Sequence, residues 1–208
     1  MNVVLVNGSP NANGCTFTGL SIIKEQLGKH GVDSEIFQVG TEPVRGCIAC
    51  RTCKQPGKSG KCVFDDDMVN TVVEAFSKAD GLILGSAVHY ASATGAATSF
   101  FDRMFYCQNS SERRLKFGAA IVSCRRGGNS STFDQLNKYF TISQMPVVSS
   151  CYWNGIHGYK PEDVYADEEG VRIMRTLANN MAYLIKCKHK ANIELPEEEP
   201  AASTNFIR

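Results

Sequence analysis

Short apolar runs alternate with longer segments of helical periodicity along most of this chain. The runs predict five strands, at Asn2–Asn7, Val32–Val39, Asp80–Ser86, Phe117–Cys124 and Pro146–Trp153. Between the strands and after the last, apolar residues recur every three or four positions. That spacing predicts five helices, at Thr16–Lys29, from Asp65–Asp67 onward, around Ala97–Phe105, around Phe133–Phe140 and at Asp163–Lys188. The alternation indicates an α/β domain in which helices cover both faces of a parallel sheet.

Two segments fall outside this alternation. Residues 40–64 form a long loop rich in Gly, Pro and Cys, and compact domains seldom keep such a loop without a function for it. Residues 191–208 form an acidic, Pro-containing tail, which we expect to be mobile or packed on a neighbouring subunit. We therefore predict one doubly wound domain over residues 1–190, followed by the tail.

Composition and charge narrow the classes of function. The 208 residues carry a net charge of +1, which gives no electrostatic case for a nucleic-acid or membrane partner. No apolar run approaches the ~18 residues of a membrane span. A core strand follows Met1 directly, where a signal peptide would stand. We therefore expect a cytoplasmic protein whose nine cysteines stay reduced.

Three loops follow predicted strands at the edge where α/β sheets bind ligands, namely 8–16, 86–94 and 124–129. The first, Gly8–Thr16, leads into a helix, whose first N–H groups can bind a phosphate or another anion. It matches neither common nucleotide loop. Pro10 stands where G-x-G-x-x-G needs its second glycine, and no Gly-Lys-Ser/Thr follows the strand. Taken alone, this loop is equally interpreted as an ordinary strand-to-helix turn.

Four cysteines lie close together in the long loop. Cys47, Cys50 and Cys53 follow a C-x-x-C-x-x-C pattern, and Cys62 comes after eight intervening residues. Four thiolates from one compact loop can bind a [4Fe–4S] cluster or a zinc ion, and a loop without metal is the third alternative. Four further cysteines in apolar surroundings are predicted to be core residues, namely Cys107, Cys124, Cys151 and Cys187.

Several of these motifs occur together and in order. They are Gly8-Ser9-Pro10 with Gly14-Cys15-Thr16, the four-cysteine loop, Asp66-Asp67-Met68, Ala79-Asp80-Gly81, Gly85-Ser86-Ala87-Val88-His89-Tyr90 and Phe101-Asp102-Arg103. As an ordered set over residues 1 to about 130, they resemble the NADPH-dependent FMN reductase family of the flavodoxin-like superfamily. Within that family the chain is most similar to iron–sulfur flavoprotein members. The resemblance implies a five-stranded parallel sheet of order 2-1-3-4-5.

The resemblance also implies an FMN site at the three loops. Its phosphate would be held by Ser9, Asn11, Cys15 and Thr16, with Asn13 in the same loop. The isoalloxazine ring would be lined by Ser86, Ala87, Val88, His89 and Tyr90. Its other edge would face Ser123, Arg125, Arg126, Gly127 and Gly128. Three positions depart from the family pattern, with Cys15 in place of the usual Asn, Ala87 in place of Pro and His89 in place of an aromatic residue.

The function implied by the resemblance is an FMN-dependent oxidoreductase. It would move electrons from NAD(P)H through bound FMN to a flavin, quinone, nitro or azo compound. We predict no acid or base catalyst, because the flavin carries the chemistry, and His89 is the candidate if a side chain takes part. The alternative is an electron carrier with a [4Fe–4S] cluster on the four-cysteine loop. Relatives assemble, so we expect a homodimer or homotetramer, with an Asp102–Arg103 ion pair fixing a helix or a subunit contact.

Overall fold

Five parallel strands form the central sheet of the computed structural model, which describes residues 1–58, 60–200, 202–204 and 206. They are β1 (Asn2–Asn7), β2 (Asp33–Gln38), β3 (Gly81–His89), β5 (Phe117–Cys124) and β6 (Gly155–His157). A two-residue strand, β4 (Ser92–Ala93), pairs antiparallel with the end of β3. The strand order is β2-β1-β3-β5-β6. With β4 set aside this is the predicted order 2-1-3-4-5, so the predicted fold class is confirmed.

Helices cover both faces of the sheet. They are α1 (Cys15–Lys29), α2 (Val69–Ser77), α3 (Gly95–Cys107), α4 (Ser110–Arg113), α5 (Asn129–Thr141) and α6 (Glu168–Ala191), with short 3₁₀ turns at Thr52–Lys54 and Pro161–Ala166. Successive strand residues point to opposite faces. Leu5 and Ile83 therefore pack with α1 and α6, while Val6 and Leu84 pack with α2, α3 and α5. The two apolar layers explain why β1 and β3 are apolar at nearly every position.

The fifth parallel strand lies later in the chain than predicted. Within the predicted span Pro146–Trp153, Val147 makes a single bridge to Gly118 before the chain leaves the sheet. The chain re-enters at Asn154, whose side-chain amide donates to the Ala120 carbonyl at 3.0 Å. The three residues of β6 then pair with the end of β5. The prediction was wrong here because an apolar run was taken for the strand, whereas a buried amide fixes the real one.

Other boundaries differ for local reasons. β3 continues past the predicted Ser86 to His89, because it forms a hairpin with β4. α2 begins at Val69, whose N–H donates to the Asp67 carboxylate at 3.0 Å, so Asp67 lies before the helix as its acceptor. α6 begins at Glu168, since the predicted helical start is a 3₁₀ turn.

Three of the four aromatic residues of α3 are core residues. Phe100 and Phe101 are fully buried and Phe105 is nearly so, while Tyr106 is 40% exposed. In the tail, residues 192–200 form neither helix nor strand, and the Arg114 guanidinium donates to the Pro196 carbonyl at 2.7 Å. Whether the tail contacts another subunit stays a prediction. Across the described residues, no helix combines the length and the apolar character that crossing a membrane requires.

Candidate functional site

A pocket of about 350 Å³ opens at the carboxyl ends of β1, β3, β5 and β6. All three loops predicted to bind the ligand contribute to it. The predicted residues that line it are Ser9, Asn11, Cys15, Ala87, Val88, His89, Ser123 and Arg125. Its other lining residues are Pro10, Gly14, Cys124, Gly158 and Tyr159. The remaining predicted residues, namely Asn13, Thr16, Ser86, Tyr90, Arg126, Gly127 and Gly128, lie behind or beside this lining.

The side-chain amides of Asn7 and Gln38 hydrogen-bond to the backbone of the loop Gly8–Thr16. The Asn7 side chain is fully buried, and its Oδ1 accepts the Ser9 N–H at 3.2 Å. Its Nδ2 donates to the Gln38 side chain, and Gln38 in turn donates to the Ser9 carbonyl at 2.8 Å. The Ser9 hydroxyl accepts the Asn11 N–H at 3.2 Å. The protein's own hydrogen bonds therefore hold the loop in its conformation.

The start of α1 fits a phosphate. The helix begins after Gly14, a residue without a side chain to cap it, and its first turn carries no acidic residue. The first N–H groups of a helix have no acceptor inside the helix, and they attract anions. Gly8–Thr16 also contains neither Asp nor Glu that would repel an anion. The FMN phosphate expected here therefore meets a donor set of the right chemistry.

Thr16 has a structural partner instead of an open position. Its side chain is 1% exposed, and its hydroxyl lies 2.7 Å from the Ser123 hydroxyl. This hydrogen bond joins the start of α1 to the end of β5. The Thr16 hydroxyl is thus occupied within the protein, while the backbone N–H of Thr16 belongs to the first turn of α1.

Cys15 faces the segment that follows β6. Its Sγ lies 3.3 Å from the Lys160 carbonyl oxygen, and a Cβ added to Gly158 would lie 3.1 Å from the same sulfur. Burial raises the pKa of the Cys15 thiol above its usual value. The thiol is therefore neutral at physiological pH and adds no negative charge to the loop Gly8–Thr16, which we call the anion loop. The departure from the family's Asn at this position is chemically compatible with a bound phosphate.

A strained hairpin forms the wall opposite the anion loop. Tyr90 and Ala91, the two residues between β3 and β4, have φ angles of +50° and +57°. Non-glycine residues seldom adopt this left-handed conformation. The Ala91 carbonyl accepts the Ser131 hydroxyl at 2.7 Å, which ties the turn to α5. Tyr90 is fully exposed at the tip.

Two predicted residues support this hairpin from behind. Ser86 is fully buried, and its hydroxyl donates to the Ala87 carbonyl and accepts the Thr94 N–H. Gly128 has a φ angle of +86°, and a Cβ there would lie only 2.9 Å from the Ala91 Cα. A glycine at 128 therefore lets the hairpin approach the start of α5 closely. Arg125 lines the pocket, while Arg126 is exposed beside it.

Tyr159 is the lining residue that the sequence analysis missed. Its N–H and that of Lys160 donate to the Asp163 carboxylate at 2.9 and 2.8 Å. Just before it, the His157 N–H donates to Asp167 at 2.7 Å. Tyr159 lies beyond the predicted fifth strand, so it was not examined as a strand-end residue. The signal was the pair Gly158-Tyr159, a small residue and an aromatic at the carboxyl end of β6.

A second, tight pocket, with a cavity volume of about 20 Å³, is lined by the cysteines of the long loop. Its lining includes all four predicted ligands, Cys47, Cys50, Cys53 and Cys62. In the described part of the chain, no three His, Cys, Asp or Glu side chains converge closely enough to hold one metal ion. The structure thus brings the four cysteines to one pocket without drawing their sulfur atoms to a common point.

The remaining predicted core cysteines divide into two pairs. Cys107 and Cys124 are buried, which confirms the prediction. Cys107 also lines the second pocket, and burial, with smaller contributions from Cys62 and Cys53, raises its pKa to about 12. Cys151 and Cys187 are exposed, so their prediction as core residues was wrong. In their segments, other residues such as Val148 and Ile185 pack into the core.

The charge of the long loop suits a group bound through thiolates. Between Pro43 and Phe64 the sequence has five cationic residues and no Asp or Glu, the cations being Arg45, Arg51, Lys54, Lys58 and Lys61. A metal group carried by four thiolates has a net negative charge, which nearby cations stabilise. The donor type and the charge of the loop therefore both fit such a group.

Comparisons with known proteins agree with this geometry. A sequence profile of the NADPH-dependent FMN reductase family matches residues 1–159. An iron-sulfur flavoprotein of Methanocaldococcus jannaschii is 28% identical over 193 residues, which cover 89% of this chain and 98% of the relative. A second iron-sulfur flavoprotein of that organism is 29% identical over 204 residues, covering 90% and 98%. A solved flavodoxin from the domain Archaea matches with a TM-score of 0.60 at 16% identity, over 89% of this chain and 99% of that one. The fold is flavodoxin-like.

Proposed function

The chain belongs to the NADPH-dependent FMN reductase family and is an FMN-dependent oxidoreductase, and we propose that it moves electrons from NAD(P)H through bound FMN to a small acceptor. The observation that carries this proposal is the anion loop. The Asn7 and Gln38 side chains hold it in shape beside a pocket open to solvent. A loop built in advance loses little conformational entropy when a phosphate binds.

Residues on the two sides of the pocket have different tasks in this proposal. Ser9, Asn11 and the first N–H groups of α1 hold the phosphate, while Ala87–His89 lie along the ring. When bound, FMN supplies the hydride and electron transfer, so the protein has to bind it, orient it and admit the substrates. Arg125 brings a positive charge to the pocket, and Tyr159 brings an aromatic wall.

The exposed rim of the pocket supports one class of acceptor. His89, Arg125 and Tyr159 line the pocket and are exposed, and Tyr90 stands exposed beside it. Flat acceptors can stack on such aromatic edges, which supports a flavin, a quinone, or a nitro or azo compound as the oxidant.

Spectroscopy and turnover test this function directly. Purified protein should show flavin absorbance, or should bind FMN when it is titrated. Oxidation of NADPH and of NADH should then be followed with menadione and with free FMN as acceptors. Turnover with one of the nucleotides supports the proposal. A chain that binds FMN but oxidises neither nucleotide is not a NAD(P)H-dependent reductase.

The second candidate is an iron–sulfur electron carrier. It is favoured by the four cysteines that line one pocket in a basic loop, and by similarity to proteins named iron-sulfur flavoproteins. In this candidate Cys47, Cys50, Cys53 and Cys62 would hold a [4Fe–4S] cluster, which supplies one-electron transfer when bound. Anaerobic purification with iron, sulfide and zinc analysis tests it. Zinc without iron would replace the cluster by a structural zinc site, and neither metal would leave a loop of free thiols.

We also propose that the chain forms a homodimer or homotetramer. The proposal rests on the family resemblance, since Phe100, Phe101 and Phe105 of α3 are used in the core. Light scattering of the FMN-loaded protein gives the mass directly. A mass of 22.7 kDa at micromolar concentration would identify a monomer instead.

A further inference from the structure

A buried arginine enters the cysteine pocket from α3. Arg103 is 1% exposed, lines this pocket and forms an ion pair with Asp67. The predicted pair with Asp102 was wrong, because the Asp102 carboxylate accepts the Tyr139 hydroxyl instead. Its Nη2 donates to the Phe64 carbonyl at 3.1 Å and to the Cys62 sulfur at 3.4 Å. Its Nε is buried without an acceptor among the described residues. A guanidinium is costly to bury, and an unused donor adds to the cost, so its position calls for an explanation.

Asp67 fixes the orientation of this guanidinium. One carboxylate oxygen of Asp67 accepts the Val69 N–H at 3.0 Å at the start of α2, and the other pairs with Arg103. The carboxylate is therefore anchored to α2 while the arginine is anchored to α3. An arginine held in this way presents its remaining N–H groups in a fixed direction. One of these N–H groups meets Cys62.

The backbone of Cys62 is clamped as well. The Cys62 N–H donates to Asn70 Oδ1 at 2.8 Å, and Asn70 Nδ2 donates back to the Cys62 carbonyl at 3.1 Å. Asn70 lies in α2, so Cys62 is tied to that helix on both sides of its peptide. Cys47 and Cys50, by contrast, are exposed residues of a segment outside helix and strand. Cys53 is buried in the 3₁₀ turn Thr52–Lys54. Cys62 is the cysteine whose backbone is clamped to α2 and whose sulfur accepts an N–H from α3.

We propose that Arg103 is a positioning residue for Cys62. It holds the Cys62 sulfur in place as the first ligand of a thiolate metal site, and the other cysteines of the long loop complete the site. This inference rests on the second candidate function. The N–H that Arg103 donates to the Cys62 sulfur also affects the reduction potential of a bound metal group. Donors to a ligand sulfur stabilise the reduced, more negative state, so Arg103 raises the reduction potential of a metal group bound there.

The test uses two variants and a matched control in the full, FMN-loaded chain. Arg103→Lys keeps the charge and removes the planar fork, and Asp67→Asn keeps an acceptor for Val69 while it loosens Arg103. Arg113→Lys is the control, because Arg113 is another largely buried arginine whose guanidinium donates to the carbonyls of Phe105 and Gln108. Each protein is reconstituted anaerobically with iron and sulfide and, separately, titrated with Co²⁺ alone.

We expect R103K and D67N to lose iron to a chelator about tenfold faster than wild type, the size usual for a residue that supports a metal ligand. The midpoint potential of R103K should be lower, while R113K should match wild type in both. The potential and the Co²⁺–thiolate absorption report on sulfur directly, so a purely structural role would leave them unchanged. Far-ultraviolet circular dichroism and FMN affinity show that each variant is folded.

The outcomes separate the two proposals. If R103K and D67N match R113K in iron release, Co²⁺ affinity and potential, the role of Arg103 is wrong and the metal site stands. If wild type takes up Co²⁺ but no iron, a weaker Co²⁺ affinity in R103K than in R113K still supports the role. If wild type binds neither metal through thiolates, the metal function is wrong, and the role of Arg103 falls with it.

Discussion

At the scale of single residues, the Thr16–Ser123 hydrogen bond decides what the start of α1 can tolerate. Both side chains are buried, and their hydroxyls lie 2.7 Å apart. We expect Thr16→Val to lower the free energy of unfolding by ~1–3 kcal/mol, because it leaves the Ser123 hydroxyl buried without a partner. Urea unfolding of the apoprotein measures the loss. Adding Ser123→Ala should recover part of it, since both polar groups are then gone.

The FMN affinity of Thr16→Val separates two roles for this residue. The backbone N–H of Thr16 is intact in the variant, so FMN binding should weaken by less than about threefold, which corresponds to under 1 kcal/mol. A large loss of FMN affinity with unchanged stability would contradict the structural role. It would place the hydroxyl on the phosphate instead.

Gln38 supports the anion loop without lining the pocket that opens above it. Its Nε2 donates to the Ser9 carbonyl at 2.8 Å, and its Oε1 accepts from Asn7. Gln38→Leu leaves both groups without this partner. FMN affinity should then fall by about fivefold to tenfold, the worth of roughly one hydrogen bond. Fluorescence titration with FMN measures it. Gln26→Leu, which removes an exposed amide pair with Asn179, is the control and should leave the affinity unchanged.

The candidate site could be predicted from the sequence only where a motif lies on a reliably placed strand end. Ser9, Asn11 and Ala87–His89 follow β1 or lie at the end of β3, whose apolar runs are unambiguous, and they do line the pocket. Tyr159 was missed, because it follows a three-residue edge strand that the apolar pattern did not locate. The partners of side-chain hydroxyls, as at Thr16, depend on packing between elements, and a linear pattern does not contain that information.

At the scale of elements, the β3–β4 hairpin stores strain beside the pocket. Ala91 has a φ angle of +57°. A left-handed conformation costs a non-glycine residue ~1–2 kcal/mol. Glycine avoids this cost, but it also gives the unfolded chain more conformational freedom, which offsets part of the stabilisation. We therefore expect Ala91→Gly to raise the free energy of unfolding by about 0.5–1 kcal/mol. Urea unfolding measures it.

Ala93→Gly is the matched control for the hairpin. Ala93 is a buried β4 residue outside the left-handed region, so glycine there should destabilise the protein. If both variants destabilise, the strain at Ala91 does not exist in solution. The contacts from Ser131 and from Gln135, which accepts the Ala93 N–H at 2.8 Å, are what hold the strained turn in place.

Elements were predictable where burial on both faces gives a continuous apolar run. β1 and β5 were located to the residue because each is covered by helices on both sides. β6 was not, since its pairing starts from the Asn154 side chain and includes only three residues. The start of α2 was misplaced for a related reason. The acidic run Asp65–Asp67 was expected to start the helix and cap it. Asp67 does accept the Val69 N–H, but it lies before the first helical residue because its other oxygen pairs with Arg103.

At the scale of the whole molecule, the alternation of strands and helices predicted a parallel α/β sheet, and the family resemblance supplied the order of its strands. The sequence did not predict how the cysteine pocket is built. The sequence predicted a four-cysteine loop but contained no indication that a helix 40 residues later would send Arg103 into it. The described chain therefore combines the anion loop at the sheet edge with a sulfur pocket between the long loop and α3.

The preformed anion loop makes a prediction for the stability of the entire fold. A ligand that binds only the native state stabilises it, by ~2.7 kcal/mol at a concentration 100 times its Kd. FMN should therefore raise the unfolding temperature, and riboflavin at equal concentration should raise it much less, because riboflavin has no phosphate for the N–H groups of α1. Differential scanning fluorimetry measures both shifts.

Gln38→Leu sharpens this last test. Loosening the loop should shrink the difference between FMN and riboflavin, because it weakens the phosphate contacts and leaves the ring contacts of Ala87–His89 in place. The control Gln26→Leu should keep the full difference. Equal stabilisation by FMN and riboflavin in wild type would mean that the ring alone supplies the binding energy. The loop after β1 would then be an ordinary strand-to-helix turn.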